Sequence, residues 1–268
     1  MGNNIILTGP PRSGTTLACS LLNQLPDTAA LHEPMNLKMF PNPIAAISQV
    51  QQFFSQMRSS ILETGTALSK VKGEGVPENP FADDQNARRK SVVQKGILKF
   101  DKPFSPDFQL IIKQNGHFTY LLPGLTTFFD VYAILRHPVA TILSWNTIQA
   151  PVAEGNLRVL ENLDPELYDN LQSIPDLLER QVQLLVTMYD RFTCLEANQI
   201  IYYENLVSSG GGALQSITEK AQELETPLSN KNRNPLYDQK LVDNIKERLL
   251  MNSEVFSLHY SIKEIENF

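Results

Sequence analysis

Short apolar runs alternate with amphipathic segments along the chain, and this alternation predicts the order of strands and helices. Strands are predicted over residues 3–7, 28–31, 108–113, 130–135 and 200–203. The runs at 108–113 and 130–135 are almost continuously apolar, as expected for strands buried on both faces of a parallel sheet. Strands that alternate with helices indicate an α/β fold, with helices on both faces of a central parallel sheet.

Helices are predicted where apolar residues recur at steps of three and four. Ile47, Val50, Phe54 and Met57 follow this rule within the segment 43–62. The predicted helices are 15–25, 43–62, 138–148, a segment that Pro175 opens, 213–224 and 241–250. Between the second and third of these helices, residues 65–95 contain prolines and glycines and show little periodicity. We expect a long loop there that extends to Lys102. This 65–102 loop could act as a lid over a binding site.

The most informative segment lies between the first predicted strand and the first predicted helix. It reads Gly9-Pro10-Pro11-Arg12-Ser13-Gly14-Thr15-Thr16, with four residues between its glycines. Free backbone N–H groups at a helix N-terminus bind phosphate, and the hydroxyls of Ser13, Thr15 and Thr16 add donors. The spacing predicts a phosphate-binding loop, and we expect this loop to belong to a single P-loop-like domain over residues 1–268. A purely structural turn is the alternative reading.

This loop lacks two groups that a nucleoside triphosphate site requires. In such sites a lysine after the second glycine reaches the β- and γ-phosphates, and an aspartate after a later strand helps to hold Mg²⁺. Here Thr15 stands at the first position, and the later strand runs into Leu135-Arg136. The loop has its cation earlier, at Arg12. We therefore expect a metal-free site for a phosphate that carries a second anionic group.

A second candidate for phosphate binding is the pair Arg136 and Ser144. An arginine after a parallel strand points into the crevice where open α/β sheets bind ligands. Its planar guanidinium donates two parallel hydrogen bonds to phosphate. Ser144 lies two turns into the helix that Pro138 opens and can face the same group. An ion pair for Arg136 and a packing hydroxyl for Ser144 are the alternatives.

The string Arg12-Ser13-Gly14-Thr15-Thr16-Leu17 resembles the 5′-phosphosulfate loop of sulfotransferases that use 3′-phosphoadenosine 5′-phosphosulfate (PAPS). It is most similar to the form found in tyrosylprotein and many bacterial members. In that family an arginine and a serine at the spacing of Arg136 and Ser144 bind the 3′-phosphate. The resemblance therefore implies a PAPS-dependent sulfotransferase, an enzyme that releases 3′-phosphoadenosine 5′-phosphate (PAP) and needs no metal.

Two weaker similarities complete the predicted nucleotide site. Tyr203, in Ile201-Tyr202-Tyr203-Glu204-Asn205-Leu206, matches a family tyrosine that lies near the adenine. Lys231 and Arg233 precede the last predicted helix, in the position of a basic loop that closes over the 3′-phosphate in cytosolic members. An aromatic at a strand edge and a solvated basic loop are the respective alternatives.

Glu33 and His117 are both candidates for the general base. Glu33 follows Arg12 by 21 residues, as the catalytic glutamate does in tyrosylprotein-type members, and this spacing favours it slightly. His117 precedes Leu121-Leu122-Pro123, as the catalytic histidine precedes a similar string in cytosolic members. A neutral histidine needs little pKa adjustment near pH 7, whereas a glutamate needs a raised pKa. Lys113 resembles the lysine that stabilises the departing phosphoadenosine.

The composition indicates the kind of partner and the cellular compartment to expect. The chain has 268 residues and a formal net charge of −6, which argues against a broad nucleic-acid surface. Cys19 and Cys194 cannot form a disulfide scaffold, so a reducing compartment is expected. The N-terminus lacks the pattern of a signal peptide, and no run approaches the ~20 apolar residues of a membrane helix. We expect a soluble, cytoplasmic protein.

The acceptor is expected to carry a hydroxyl group and to bind beneath the predicted 43–62 helix and the 65–102 lid. The lid is basic and could dock an anionic or a carrier-bound acceptor: it contains Arg88, Arg89, Lys90, Lys95, Lys99 and Lys102. A solvated mobile loop is the alternative. Small alcohols, phenols, lipids, glycans, peptide tyrosines and carrier-bound acyl groups all stay open. Other functions that fit are a nucleotide or nucleoside kinase and a non-catalytic phosphoadenosine-binding module.

Overall fold

The computed structural model describes residues 4–82, 84 and 88–268. Its strands are β1 (Asn4–Thr8), β2 (Thr28–His32), β3 (Thr66–Val71), β4 (Gln94–Lys99), β5 (Gln109–Lys113), β6 (Asp130–Leu135) and β7 (Ile200–Tyr202). Five of them form one sheet in the order β2-β5-β1-β6-β7, and every neighbouring pair is parallel. The predicted α/β fold class is therefore confirmed. Asn3, the first residue of the first predicted strand, lies outside the described residues.

The α-helices vary from one turn to six. They are α1 (Thr15–Gln24), α2 (Pro43–Thr64), α3 (Asn115–Thr119), α4 (Leu122–Leu125), α5 (Pro138–Trp145), α6 (Leu160–Leu163), α7 (Pro165–Ser173), α8 (Leu177–Phe192), α9 (Tyr203–Ser208), α10 (Val242–Met251), α11 (Ser253–Phe256) and α12 (Ile262–Glu266). The longer helices have defined N-termini. The side chain of Asn42 accepts a hydrogen bond from the backbone N–H of Ala45 ahead of α2, and Asp176 accepts one from Glu179 ahead of α8. In the described part of the chain, no helix has the length and apolarity needed to cross a membrane.

The central strands divide their side chains between two hydrophobic cores, one on each face of the sheet. Ile6, Ile112 and Leu135 pack on the face that α2, α5 and α8 cover. Leu7 and Ile111 belong to the opposite core, beneath α1 and α9. Because successive residues of a strand point to opposite faces, a strand covered on both sides needs apolar residues at every position. This requirement explains the continuous apolar runs in the sequence.

The two ends of the predicted 65–102 loop form an antiparallel hairpin, so the expectation of a structureless loop is wrong there. β3 pairs with β4 from Thr66 opposite Lys99 to Val71 opposite Gln94. Ser69 is buried while Leu68 is exposed, the reverse of the usual polarity. The inward hydroxyl of Ser69 accepts a hydrogen bond from the backbone N–H of His32 at 3.0 Å, which joins the hairpin to the edge of the main sheet.

The predicted helix over 213–224 is also wrong. Two short 3₁₀ segments, Gly212–Ser216 and Glu219–Glu223, occupy this region. Between them Thr218 has extended backbone angles (φ −155°, ψ 131°), which a continuous α-helix cannot contain. The predicted strand over 200–203 ends one residue earlier, because Tyr203 begins α9.

Candidate functional site

The loop between β1 and α1 requires glycine at two positions, Gly9 and Gly14. Gly9 has φ +145° and Gly14 has φ +98°, values that side-chain-bearing residues rarely adopt. A Cβ atom on Gly9 would collide with the carbonyl oxygen of Ile134, and one on Gly14 would lie 2.6 Å from Cδ2 of Tyr203. The loop therefore has the close backbone approach that a phosphate cradle needs, and its predicted position before α1 is correct.

The hydroxyl groups of the loop differ in whether they have a hydrogen-bond partner within the protein. Thr15 donates to Oδ1 of Asn115 at 2.9 Å, so it is engaged within the protein. Ser13 is fully buried, and its Oγ has no hydrogen-bond partner among the described residues. Thr16 is buried at the first turn of α1, whose N-terminus has no side-chain cap in the described structure. A buried hydroxyl without a partner next to uncapped N–H groups fits an anion, because such groups are costly when left unsatisfied.

Arg12 has a positive φ of 74°, and its side chain extends to α5. Its Nε donates to Oγ of Ser144 at 3.2 Å, and its Nη1 donates to Oδ1 of Asn79 at 3.2 Å. The guanidinium also lies over the ring of Phe81, 5.0 Å from the ring centroid. Burial is the main reason that the pKa of Arg12 falls to about 10, a value that still leaves it positively charged at pH 7.

Arg136 follows β6 directly and is nearly buried. Its Nη1 donates to the backbone carbonyl oxygen of Arg12 at 3.0 Å, so the Arg136 guanidinium contacts the glycine loop directly. Its Nε donates to Asn232 at 2.8 Å, and its Nη2 donates to the carbonyl of Lys231 at 2.7 Å and the hydroxyl of Tyr237 at 2.9 Å. Arg136 therefore ties the 230–237 loop to the glycine loop.

Tyr203 also belongs to this cluster. The guanidinium of Arg136 lies 4.6 Å from its ring centroid, and its hydroxyl accepts a hydrogen bond from the backbone N–H of Lys231 at 3.1 Å. The next residue, Glu204, accepts hydrogen bonds from Nδ2 of Asn232 at 2.6 Å and from the hydroxyl of Tyr260 at 2.9 Å. Sequence reasoning did not single out Glu204, Asn232 or Tyr237.

Lys231 and Arg233 do not place their charges in this cluster. The side chain of Lys231 is exposed, and its contacts with Arg136 and Tyr203 are made by its backbone. Arg233 faces the C-terminal residues: its Nη2 donates to the carbonyl of Asn267 at 3.4 Å, and its guanidinium lies over the ring of Phe268. The loop itself is at the predicted place, but in this conformation its basic side chains do not converge on Arg136.

Glu33 and Lys113 form an ion pair at the ends of adjacent strands. Oε1 of Glu33 is 2.6 Å from Nζ of Lys113, and Oε2 is 2.7 Å from Nζ of Lys70 on β3. Burial disfavours the charged carboxylate, but Lys113 and Lys70 outweigh it and hold the pKa of Glu33 well below its ordinary value. Glu33 is thus a stable carboxylate between two ammonium groups. Lys70 was not among the predicted site residues.

His117 lies on α3, close to this ion pair. Its ring centroid is 4.7 Å from that of Phe40, and its Nδ1 is 3.5 Å from Nε2 of Gln114. Burial lowers the pKa of His117 to about 4, partly opposed by the negative charge of Glu33. His117 is therefore neutral at pH 7 and has a lone pair available on its ring. His32, one residue before Glu33, is fully buried, and burial lowers its pKa to about 3.

Two basic residues of the predicted lid, Lys102 and Arg88, make contacts in different parts of the protein. Lys102 donates to the carbonyl oxygens of Asn23 and Leu25 at the end of α1 (2.5 and 2.7 Å), so it caps that helix. Arg88 forms an exposed ion pair with Glu154 at 3.0 Å. Among the described residues, no group of three or more His, Cys, Asp or Glu side chains is arranged to hold a metal ion.

Comparison with known proteins gives a likeness in structure but not in sequence. No protein-family model matches the chain, and no curated protein matches it. The solved structures that resemble it over most of its length include three sulfotransferases.

The first is a sulfotransferase domain from the curacin biosynthetic pathway, with 14% identity and a TM-score of 0.44 over 90% of this chain and 80% of that one. The second is a sulfotransferase domain from the olefin synthase of Synechococcus PCC 7002, with 13% identity and a TM-score of 0.42 over 90% and 83%. The third is the sulfotransferase STF1 of Mycobacterium tuberculosis H37Rv, with 13% identity and a TM-score of 0.38 over 92% and 76%.

Proposed function

We propose that this chain is a sulfotransferase that moves a sulfuryl group from PAPS to a hydroxyl group of an acceptor. The observation that carries the proposal is the convergence of Arg12, Arg136 and Ser144 on one glycine loop. Arg12 is hydrogen-bonded to Ser144, and Arg136 is hydrogen-bonded to the backbone of Arg12. Two guanidinium groups at one uncapped helix N-terminus fit a ligand with phosphate groups at both ends of a single adenosine.

We assign the two ends of the donor from these contacts. The glycine loop, the buried hydroxyl of Ser13 and Arg12 would hold the 5′-phosphosulfate. Arg136 and Ser144 would hold the 3′-phosphate, with Tyr203 beside the adenine. Arg136 already donates four of the five hydrogen bonds that a guanidinium can make. It can therefore bind phosphate through its remaining N–H, or by exchanging an acceptor of the 230–237 loop for a phosphate oxygen.

The transfer step needs a proton acceptor and a cation at the leaving group. Both candidate bases are unprotonated at pH 7, and we assign proton transfer to His117 because both carboxylate oxygens of Glu33 are paired with Lys70 and Lys113. As the acceptor oxygen bonds to sulfur and the bond from sulfur to the bridging oxygen breaks, His117 would take the hydroxyl proton. Lys113 would offset the negative charge left on the phosphate oxygen. Glu33 would position Lys113.

The kinase alternative has less support from the same contacts. Thr15 occupies the position of the phosphate-binding lysine, and its hydroxyl is engaged by Asn115. Arg136 stands where an aspartate for Mg²⁺ is needed. We therefore treat triphosphate binding as an outcome of the test rather than as a second proposal.

The proposal is tested first by ligand binding, measured as the rise in melting temperature with PAP, AMP and ATP–Mg²⁺. PAP should give the largest rise. A larger rise with ATP–Mg²⁺ would instead support a kinase.

Transfer of radiolabelled sulfate from PAPS is measured next, across hydroxyl acceptors of different classes. Lys113→Met should transfer no label while still binding PAP through the glycine loop and the two arginines, with a smaller loss of affinity because the cation beside the 5′-phosphate is removed. PAP binding without transfer to any acceptor class would support the non-catalytic module.

A further inference from the structure

Between β3 and β4, residues 79–81 lie against the glycine loop. Asn79 and Phe81 contact the guanidinium of Arg12 from this side. The stretch is held in place by pairing with itself: the backbone N–H of Ala82 donates to the carbonyl of Lys90, and that of Val92 donates to the carbonyl of Pro80, both at 2.9 Å. Asn79 and Phe81 thus lie against Arg12, a residue of the predicted donor site.

Arg89 precedes β4 and is hydrogen-bonded to the residues that follow α5. Its backbone N–H donates to the carbonyl of Thr147, and the N–H of Gln149 donates to the carbonyl of Arg89, both at 2.9 Å. Its Nη2 donates to the hydroxyl of Thr147 at 2.6 Å. The hydroxyl of Thr147 in turn donates to the carbonyl of Ser144 at 2.8 Å. The guanidinium is therefore held within one turn of the serine that Arg12 contacts.

Three arginines consequently share one partly buried region. Arg89 is 6% exposed and Arg136 is 4% exposed. Arg12 is connected to Arg89 by hydrogen bonds through Ser144 and Thr147. It is connected to Arg136 by a hydrogen bond to its own backbone carbonyl. After burial, the positive charges of Arg89 and Arg136 are the next causes that lower the pKa of Arg12. The three guanidinium groups are therefore close enough to interact with one another, and a single multivalent anion could contact more than one of them.

We infer that Arg89 is a third arginine of the donor site and binds the same phosphate group as Arg136 and Ser144. The inference rests on the proposed function for the identity of the ligand, which is a 3′-phosphorylated adenosine nucleotide. It assigns to the segment between the hairpin strands a role in donor recognition, in addition to any contact with the acceptor. A ligand without the 3′-phosphate gains nothing from Arg89.

The test compares Arg89→Ala with the wild-type protein, by calorimetric titration of PAP, 3′-AMP and 5′-AMP. Loss of a charged hydrogen bond should weaken PAP and 3′-AMP by about 10- to 100-fold and leave 5′-AMP unchanged. Arg88→Ala is the matched control. Arg88 is the neighbour of Arg89 and carries the same charge, but its side chain forms an exposed ion pair with Glu154. It should bind all three ligands as the wild-type protein does.

Arg89→Lys provides a second variant if the alanine variant does not fold, because it keeps the charge but not the planar fork. It should weaken PAP and 3′-AMP to an intermediate extent. Equal losses for 5′-AMP, or unchanged PAP binding by both variants, would overturn the role of Arg89 and leave the proposed function intact. A wild-type protein that binds neither PAP nor 3′-AMP would overturn the proposed function, and the role of Arg89 with it.

Discussion

At the scale of single residues, the chemistry of the candidate site is set by which groups are charged at pH 7. Glu33 lies between Lys70 and Lys113, so its carboxylate is stabilised and its basicity is low. His117 lies near the same charges but is neutral because of burial. The family spacing favours Glu33 as the base, whereas under the proposed function the pairing of both Glu33 oxygens with lysines favours His117 for proton transfer.

The protonation of His117 can be measured without an acceptor. A histidine buried in its neutral form binds its proton more weakly in the folded state than in the unfolded state. Its NMR titration should therefore have a midpoint at a pKa of about 4 rather than near the ordinary value of about 6.5. His117→Gln identifies the resonance. A midpoint near the ordinary value would contradict the proposed burial of a neutral base.

The ion pair of Glu33 and Lys113 should contribute to stability. Glu33→Gln leaves the buried ammonium of Lys113 without its partner, and at pH 7 we expect the free energy of unfolding to fall by about 1–3 kcal/mol. Because the folded state lowers the pKa of Glu33, this difference should be present above its ordinary pKa and shrink at more acidic pH. Urea unfolding at several pH values measures it. Glu33→Gln combined with Lys113→Met should recover part of the loss.

At the scale of elements, the strands of the main sheet could be read from the sequence, but the hairpin could not. Strands buried on both faces need apolar residues throughout, and β5 and β6 have them. β3 buries Ser69 and exposes Leu68, so no clear alternation marks it as a strand. The inward position of Ser69 is explained by its contact with β2, a tertiary contact that local pattern cannot reveal.

The glycine loop gives a prediction at this scale. Gly14→Ala should lower both stability and PAP affinity, because it combines a positive φ of 98° with a contact against Tyr203. Gly73→Ala is the control, since Gly73 also has a positive φ (63°) but its Cβ would meet no atom within 4 Å. The control should lose about 1 kcal/mol of stability and keep its PAP affinity. Thermal unfolding and calorimetry measure the two effects. Equal losses of PAP affinity in both variants would count against the loop as the binding element.

At the scale of the whole molecule, the site joins segments that are far apart in the sequence. The loop after β1, the residue after β6 and the 230–237 loop meet at the carboxyl ends of central parallel strands, where such sheets bind ligands. The motifs identified the first two. Asn232 and Tyr237 could not be found from the sequence, because they contact Arg136 across separations of 96 and 101 residues. Such partners follow from how the chain packs, not from local spacing.

The central claim is that Arg12 and Arg136 bind opposite phosphorylated ends of one adenosine ligand. The most direct test is calorimetric titration of Arg12→Ala, Arg136→Lys and Ser144→Ala with PAP, 5′-AMP and 3′-AMP. We predict that Arg136→Lys and Ser144→Ala weaken PAP and 3′-AMP but spare 5′-AMP, whereas Arg12→Ala weakens PAP and 5′-AMP more than 3′-AMP. If the variants weakened all three ligands equally, or if none changed PAP binding, the two-ended assignment would be wrong.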